Sequence, residues 1–159
     1  MILEPKNRIS GRALKVWRIS GAFYSVMFLL LAGGITALTI IFDWPLWISA
    51  AAIILFLISI YFFVMLFPSL RWKRWRYEVR EQEIELQHGL FVIKRTLVPM
   101  VRVQHVDTAQ GPLLRKYNLA TVTVSTAATT HEIPALELSE AEEMRVYISR
   151  LARVADEDV

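Results

Sequence analysis

Cysteine is absent from this 159-residue chain. That excludes disulfide staples, thiolate nucleophiles and cysteine-based metal sites, and it leaves the redox compartment to be argued from topology. Histidine occurs only at His88, His105 and His131. A zinc site would need these to converge with a carboxylate such as Asp107 or Glu132, and their spacing carries no such signature. Neither a Walker loop nor a G-x-G-x-x-G turn is present, so the backbone cradles that hold nucleotide phosphates are missing. Ser125 and Thr126 could be drawn into a triad with His131 and Asp107, but no G-x-S-x-G elbow surrounds either hydroxyl. The inventory points away from an enzyme and calls for no cofactor and no metal.

Charge is the next scarcity. Between Ile19 and Leu70 the only charged residue is Asp43. The uncharged stretches on its two sides, residues 19–42 and 44–70, hold 24 and 27 residues. As helices rising about 1.5 Å per residue they would be roughly 36 and 40 Å long. The hydrocarbon core is about 30 Å thick, so each can cross it with some tilt. Only helices or closed barrels satisfy every backbone group in lipid, and the alternation of a barrel strand is missing. Neither stretch has the polar face of a soluble helix, and the run far exceeds a signal-peptide core of about 7–15 residues. Asp43-Trp44-Pro45 supplies the break, because Pro45 cannot continue a helix and disfavours helical geometry at Trp44. The segment reads as a transmembrane helical hairpin over 19–70.

The sequence pI of 9.4 is no sign of nucleic-acid binding once the charge is partitioned. Residues 1–18 carry +4, residues 71–76 carry another +4 through Arg71, Lys73, Arg74 and Arg76, Asp43 is −1, and residues 77–159 are −4. Both basic clusters flank the apolar spans. This is the positive-inside pattern, which places both termini in the cytoplasm of a multi-pass protein of a bacterial inner membrane. The cations of 71–76 are candidate lipid-headgroup contacts, worth about 1 kcal/mol each near an anionic surface. Trp17, Trp44, Trp47, Trp72 and Trp75 fall at the expected interfaces as an aromatic belt. Gly21, Ser25, Ala32, Gly33, Gly34 and Ala37 in the first helix would let backbones approach closely, as would Ser49, Ala50, Ala51, Ala52 and Ser59 in the second. Packing within the hairpin and a face for another membrane subunit both fit these small residues.

Beyond a basic-aromatic linker (71–76) the pattern changes to period two. Tyr77-Glu78-Val79-Arg80 and Ile84-Glu85-Leu86-Gln87 alternate apolar and polar, the mark of half-buried strands joined by a polar turn, Glu81-Gln82-Glu83. Gly89 precedes Leu90-Phe91-Val92-Ile93, read as strand and continuing toward Thr96-Leu97-Val98, which Pro99 ends or bends. Val101 to Asp107 alternates again. Gly111-Pro112 signals a turn, and Leu113 to Asn118 one helical turn. Thr121 to Ser125 is a β-branched strand with Thr130 to Ile133 as its hairpin partner. Ser139 with Glu142 reads as a capping box opening a final helix, whose stripe is Met144, Tyr147, Ile148, Leu151 and Ala155. Asp156-Glu157-Asp158 is a charged tail.

Six short strands and one amphipathic C-terminal helix make the layout of a pleckstrin-homology-like (PH-like) domain. Leu97-Val98-Pro99-Met100-Val101-Arg102-Val103-Gln104-His105-Val106, then Gly111-Pro112-Leu113-Leu114-Arg115-Lys116-Tyr117-Asn118-Leu119-Ala120, closely resembles bacterial PH-like, membrane-flanking proteins of the YdbS type. The entry Arg71-Trp72-Lys73-Arg74-Trp75-Arg76-Tyr77 and the strand Thr121-Val122-Thr123-Val124-Ser125-Thr126 match as well. The resemblance covers nearly the whole chain and implies a membrane α+β protein: a transmembrane hairpin, then a PH-like β half-barrel (77–159) capped by a helix. It also implies a larger membrane partner of the same family, built from repeated copies of this unit. It does not carry inositol-lipid binding with it, because Glu81-Gln82-Glu83 at the first hairpin turn would repel a phosphate.

Arg102, Gln104 and His105, with Arg115, Lys116 and Tyr117, form the most interesting polar run. If the turn after Gly111 folds back, they could line one edge of the half-barrel and grip an anion or an acidic partner peptide. The expected function is a non-enzymatic binding or scaffold module in a heteromeric membrane complex. A cytoplasmic-face sensor of lipid or a small ligand is the alternative.

Overall fold

The computed structural model describes residues 4–157, so Asp158 of the charged tail lies outside the described residues. The chain divides into two compact units. Residues 17–70 make one; the residues up to Val16 together with those from Arg71 onward make the other.

In the first unit the uncharged stretches become the helices their composition demands. Helix α1 (Ala13–Ile41) ends at a short turn, and α2 (Trp47–Ile60) begins beyond it. Asp43 adopts a positive φ of 52° there, a conformation that aspartate tolerates better than most residues. Trp44 N–H then donates to Thr39 O at 3.0 Å, closing the turn ahead of Pro45. α2 continues through a π-helical stretch (Tyr61–Leu66) into α3 (Phe67–Arg74). The wide turn explains how Pro68 can sit inside a helix. Phe67 N–H reaches back five residues to Phe62 O, and the expanded turn relieves the clash a proline ring makes with the preceding turn.

The hairpin packs through small residues. Within residues 17–70, Gly21, Ser25, Ala32 and Thr39 are the buried positions of α1, and Ser49 and Ser59 those of α2. Phe63 stacks on Phe28 at 5.8 Å, and a Cβ at Gly21 would collide with the Phe63 backbone. Three of these hydroxyls cost little in an apolar setting because they bond their own helix: Ser25 Oγ donates to Gly21 O, Thr39 Oγ1 to Ile35 O and Ser59 Oγ to Phe56 O, whereas Ser49 Oγ is buried without a hydrogen-bond partner. Gly33 and Gly34 face open space. In the most apolar windows of the two spans only 17% and 11% of residues are buried. A soluble core helix would reverse that proportion, so this outward-facing surface of Phe23, Met27, Leu30, Ile54 and Leu57 belongs in lipid.

The second unit holds two antiparallel sheets. One runs in the order β1 (Asn7–Arg8), β2 (Arg76–Val79), β3 (Glu83–His88), β4 (Lys94–Pro99). The other is β5 (Val103–Ala109), β6 (Leu119–Thr126), β7 (Thr130–Glu137). A 3-10 turn at Met100–Arg102 joins them, α4 (Pro112–Lys116) links β5 to β6, and α5 (Leu138–Glu157) follows β7. The alternating residues supply the core: Tyr77, Ile84, Leu86, Val98, Val122, Val124, Ile133 and Ile148 are all buried. Full burial stabilises each aliphatic side chain by about 1.5–3 kcal/mol.

Four expectations need correcting. The N-terminal segment is more than a basic tail, since Asn7 and Arg8 pair with Tyr77 and Arg76 to add a strand. Pro5 and Ile9 are buried beside it. Leu90 to Ile93 forms a loop, because Gly89 takes a φ of 136° and turns the chain so tightly that a Cβ there would meet the Val92 carbonyl. The partner strand of β6 runs on to Glu137, through a bulge in which Pro134 and Ala135 stand between the Val122–Ile133 and Ala120–Leu136 pairs. The capping box does not form. The helix starts one residue earlier, and Glu142 accepts from Thr108 Oγ1 and Arg145 Nη2.

The close approach at Gly21 yields a prediction. Gly21→Leu should lower the denaturation midpoint of the detergent-solubilised chain, at a cost of about 1–3 kcal/mol for overpacking. Gly33→Ala and Gly34→Ala should leave it unchanged. Equal tolerance at all three positions would show that the helices do not meet at Gly21.

Candidate partner-binding site

The site is built on an open strand edge and a helix fixed at one end. β5 pairs with β6 on one side, and no strand pairs with its other side among the described residues. Such an edge leaves backbone donors and acceptors available for another chain. The register slips between Val103 and His105, a bulge that sets Gln104 out of the ladder. Gln104 and His105 are exposed, and His105 Nδ1–H donates to the Gln104 carbonyl at 2.7 Å.

Helix α5 supplies the opposite wall. Two carboxylates near its start hold it to both sheets. Glu140 accepts from Tyr77 Oη–H at 2.6 Å, and Glu142 accepts from Thr108 Oγ1–H at 2.8 Å. Burial, then the hydrogen bond with Glu140, pushes the Tyr77 phenol well above its usual range. The bonds from Thr108 and then Arg145 hold the Glu142 carboxyl below its usual value. With that end secured, the last turns of α5 and the first half of β5 bound a groove of about 1040 Å³. Arg102 and Arg153 bring the cations, His105 an imidazole, Asp156 the one carboxylate, and Val101, Val103 and Val106 the apolar surface. Residues 126–128 of the β6–β7 turn close one end.

The expected polar run is therefore split. Arg102, Gln104 and His105 line the groove, at the end of β5 that faces Thr126. Arg115, Lys116 and Tyr117 lie at the other end, where α4 leads into Leu119. The seven residues of β5 separate Arg102 from the second group, roughly 20 Å of strand. Arg115 and Lys116 are exposed, while the Tyr117 carbonyl accepts from Arg12. Arg153 and Asp156 were missed, because a helical periodicity shows a solvent face without showing what it faces.

The basic-aromatic entry is also divided. Arg71 to Arg74 are helical, with Arg71 and Lys73 exposed. Arg74 donates to the Leu90 carbonyl, and Arg76 is a strand residue in an ion pair with Glu4 at 3.0 Å. Trp44 and Trp47 are exposed at the hairpin turn, and Trp17 is half-buried. Trp72 is half-buried, donates to Ser10 O at 3.1 Å and lies under the Arg8 guanidinium. Trp75 is 5% exposed and stacks on His88 at 5.8 Å, which makes it a core residue rather than a headgroup anchor. At the first hairpin turn Arg80 is shared by Glu78, Glu83 and Glu85 at 2.8–3.1 Å, so no free cation there awaits a phosphate.

Trp75 also explains a titrating group. His88 Nδ1 is buried without a hydrogen-bond partner. Burial first, then the charges of Lys94 and Arg71 and the proximity of His131, lower its pKa from 6.5. The unfolded chain therefore binds the proton more readily than the folded one. Stability should be complete above pH 6.5 and fall as the pH drops from there toward the depressed folded value. His88→Asn should flatten that decline in a thermal melt of the detergent-solubilised chain; an undiminished decline would place its origin elsewhere.

Residues 21–152 match the family model described as bacterial PH domain. The chain is 54% identical over 156 residues to the "UPF0699 transmembrane protein YdbS" of Bacillus subtilis strain 168, covering 98% of each. It is 26% identical over 116 residues to the "UPF0699 transmembrane protein YdbT" of the same organism, a match covering 70% of this chain but 20% of that protein. No solved structure matches. A matched span that takes in most of the hairpin, strands β2 to β7 and most of α5 leaves one conclusion: the chain belongs to the bacterial PH domain family.

Proposed function

We propose that this membrane protein is a non-enzymatic binding module whose PH-like unit takes an extended, acidic segment of a protein partner along the free edge of β5. The observation that carries the reading is the groove itself. A strand edge offers main-chain pairing, which extended peptides exploit by adding a strand. The adjoining cations Arg102 and Arg153 outnumber Asp156 and favour an acidic occupant. The partner proposed is a larger membrane protein of the same family, in keeping with the size of the second relative. The hairpin would hold module and partner in one membrane and raise their effective concentration. The basic flanks support both termini on the cytoplasmic side of a bacterial inner membrane.

The test is purification of tagged full-length protein from its native membrane in mild detergent. A larger family member should co-elute in fixed ratio, and Arg102→Glu with Arg153→Glu should cut its recovery by about tenfold, or 1.4 kcal/mol. Both side chains are exposed, so the denaturation midpoint should not move. A lone species, or recovery indifferent to both substitutions, would overturn the reading. The sensor alternative would gain if the lone species carried a stoichiometric lipid or small anion.

A further inference from the structure

The β3–β4 loop presents an exposed apolar tip. Phe91 and Val92 are each 81% exposed and Ile93 is 51% exposed. Three consecutive large apolar side chains at a loop tip are unusual on a surface that meets only water. The shape is built, not slack: Gly89 supplies the positive φ and leaves room for the Val92 carbonyl. Arg74 donates to the Leu90 carbonyl, which ties the loop to the last helical turn before β2. That turn is only a few residues in sequence from Leu70, where the apolar span ends. Lys94 and Arg95 follow the tip at once and are exposed, as is Lys73 beside Arg74.

We infer that the Phe91–Ile93 tip inserts into the headgroup–acyl boundary of the membrane that the hairpin spans, with Lys94, Arg95 and Lys73 on anionic headgroups. The pattern is that of an interfacial anchor: apolar side chains at the tip and cations around the base. A partner protein's apolar pocket could cover the same tip, but the surrounding cations and the tie to a span-proximal turn match a lipid surface. The inference does not depend on the β5 groove.

Absence of cysteine makes the test direct. Val92→Cys carries a nitroxide, and the full-length chain is placed in nanodiscs of phosphatidylethanolamine and phosphatidylglycerol. The label should lie about 5–10 Å below the headgroups, accessible to oxygen and shielded from a water-soluble relaxant. The same label at Thr129→Cys, in the exposed β6–β7 turn, should stay open to the relaxant. Adding Lys94→Glu and Arg95→Glu should raise the tip label out of the lipid. A tip label as open to the relaxant as the control would overturn the inference. So would shielding seen in native membranes but lost in nanodiscs, which would assign the tip to a protein.

Discussion

The PH-like unit depends on two chain segments that the hairpin keeps 67 residues apart. Asn7 and Arg8 complete the first sheet against Tyr77 and Arg76. The backbone then crosses to the second sheet, where Ser10 N–H donates to Ala135 O at 3.2 Å and Ser10 Oγ to Glu137 at 2.8 Å. The Trp72 indole closes the circuit on the Ser10 carbonyl. A strap of four residues thus spans the edges of both sheets. Joining such distant segments in a flexible chain costs entropy that grows with the logarithm of the loop. An antiparallel helix pair removes most of that cost, because it returns the chain close to where it left. The membrane span is therefore an excursion from a unit whose strands lie on both sides of it in sequence.

The bulge at Ala135 shows how local strain serves this closure. Alanine at a φ of 53° is disfavoured, and the residue is nearly fully buried. The same bulge supplies the carbonyl that Ser10 reaches. α5 follows directly, with Leu138 N–H on the Asn118 carbonyl, and Glu140 and Glu142 then pin its first turns to Tyr77 and Thr108. The helix still gives Ile148 to the core, while Val146 and Val154 remain 60% and 51% exposed. Carboxylates that a sequence assigns to helix capping are engaged instead in tertiary clamps.

What could be read in advance follows physical rules of unequal reach. Residues 19–70 were legible because lipid demands apolar helices, and Pro45 marks the break between the two spans. The strands around Tyr77, Ile84 and Val122 were legible from period two. A two-residue strand such as Asn7–Arg8 has no period to detect; it exists only because β2 offers it an edge. Leu90-Phe91-Val92-Ile93 has strand composition, and one glycine with a positive φ overrides it. Trp75 has the composition of an interface anchor, yet it sits directly before β2 and is drawn into the core. Arg102 and Arg115 could meet only if the turn after Gly111 folded back, and β5 lies between them and keeps them apart. Groups contributed by distant elements, Arg153 and Asp156 to the groove, lie beyond any pattern of spacing.

The apolar loop and the hairpin differ in magnitude, and that difference sets what each can do. Burying Phe91, Val92 and Ile93 would contribute about 1.5–3 kcal/mol per side chain at most. The two spans bury more than forty largely apolar residues in lipid, so insertion is decided by the hairpin alone. A few kcal/mol is nonetheless ample to bias rotation of an already tethered domain, because the translational cost of reaching the membrane has been met by the hairpin. The tip therefore selects which face of the sheet unit meets the headgroups, a role for which modest and reversible contact is sufficient. With the β3–β4 loop held down, the free edge of β5, which belongs to the other sheet, is limited to a narrow range of approaches. A partner in the same membrane would then meet a groove already oriented, and preorganisation of that kind improves affinity without adding a single contact.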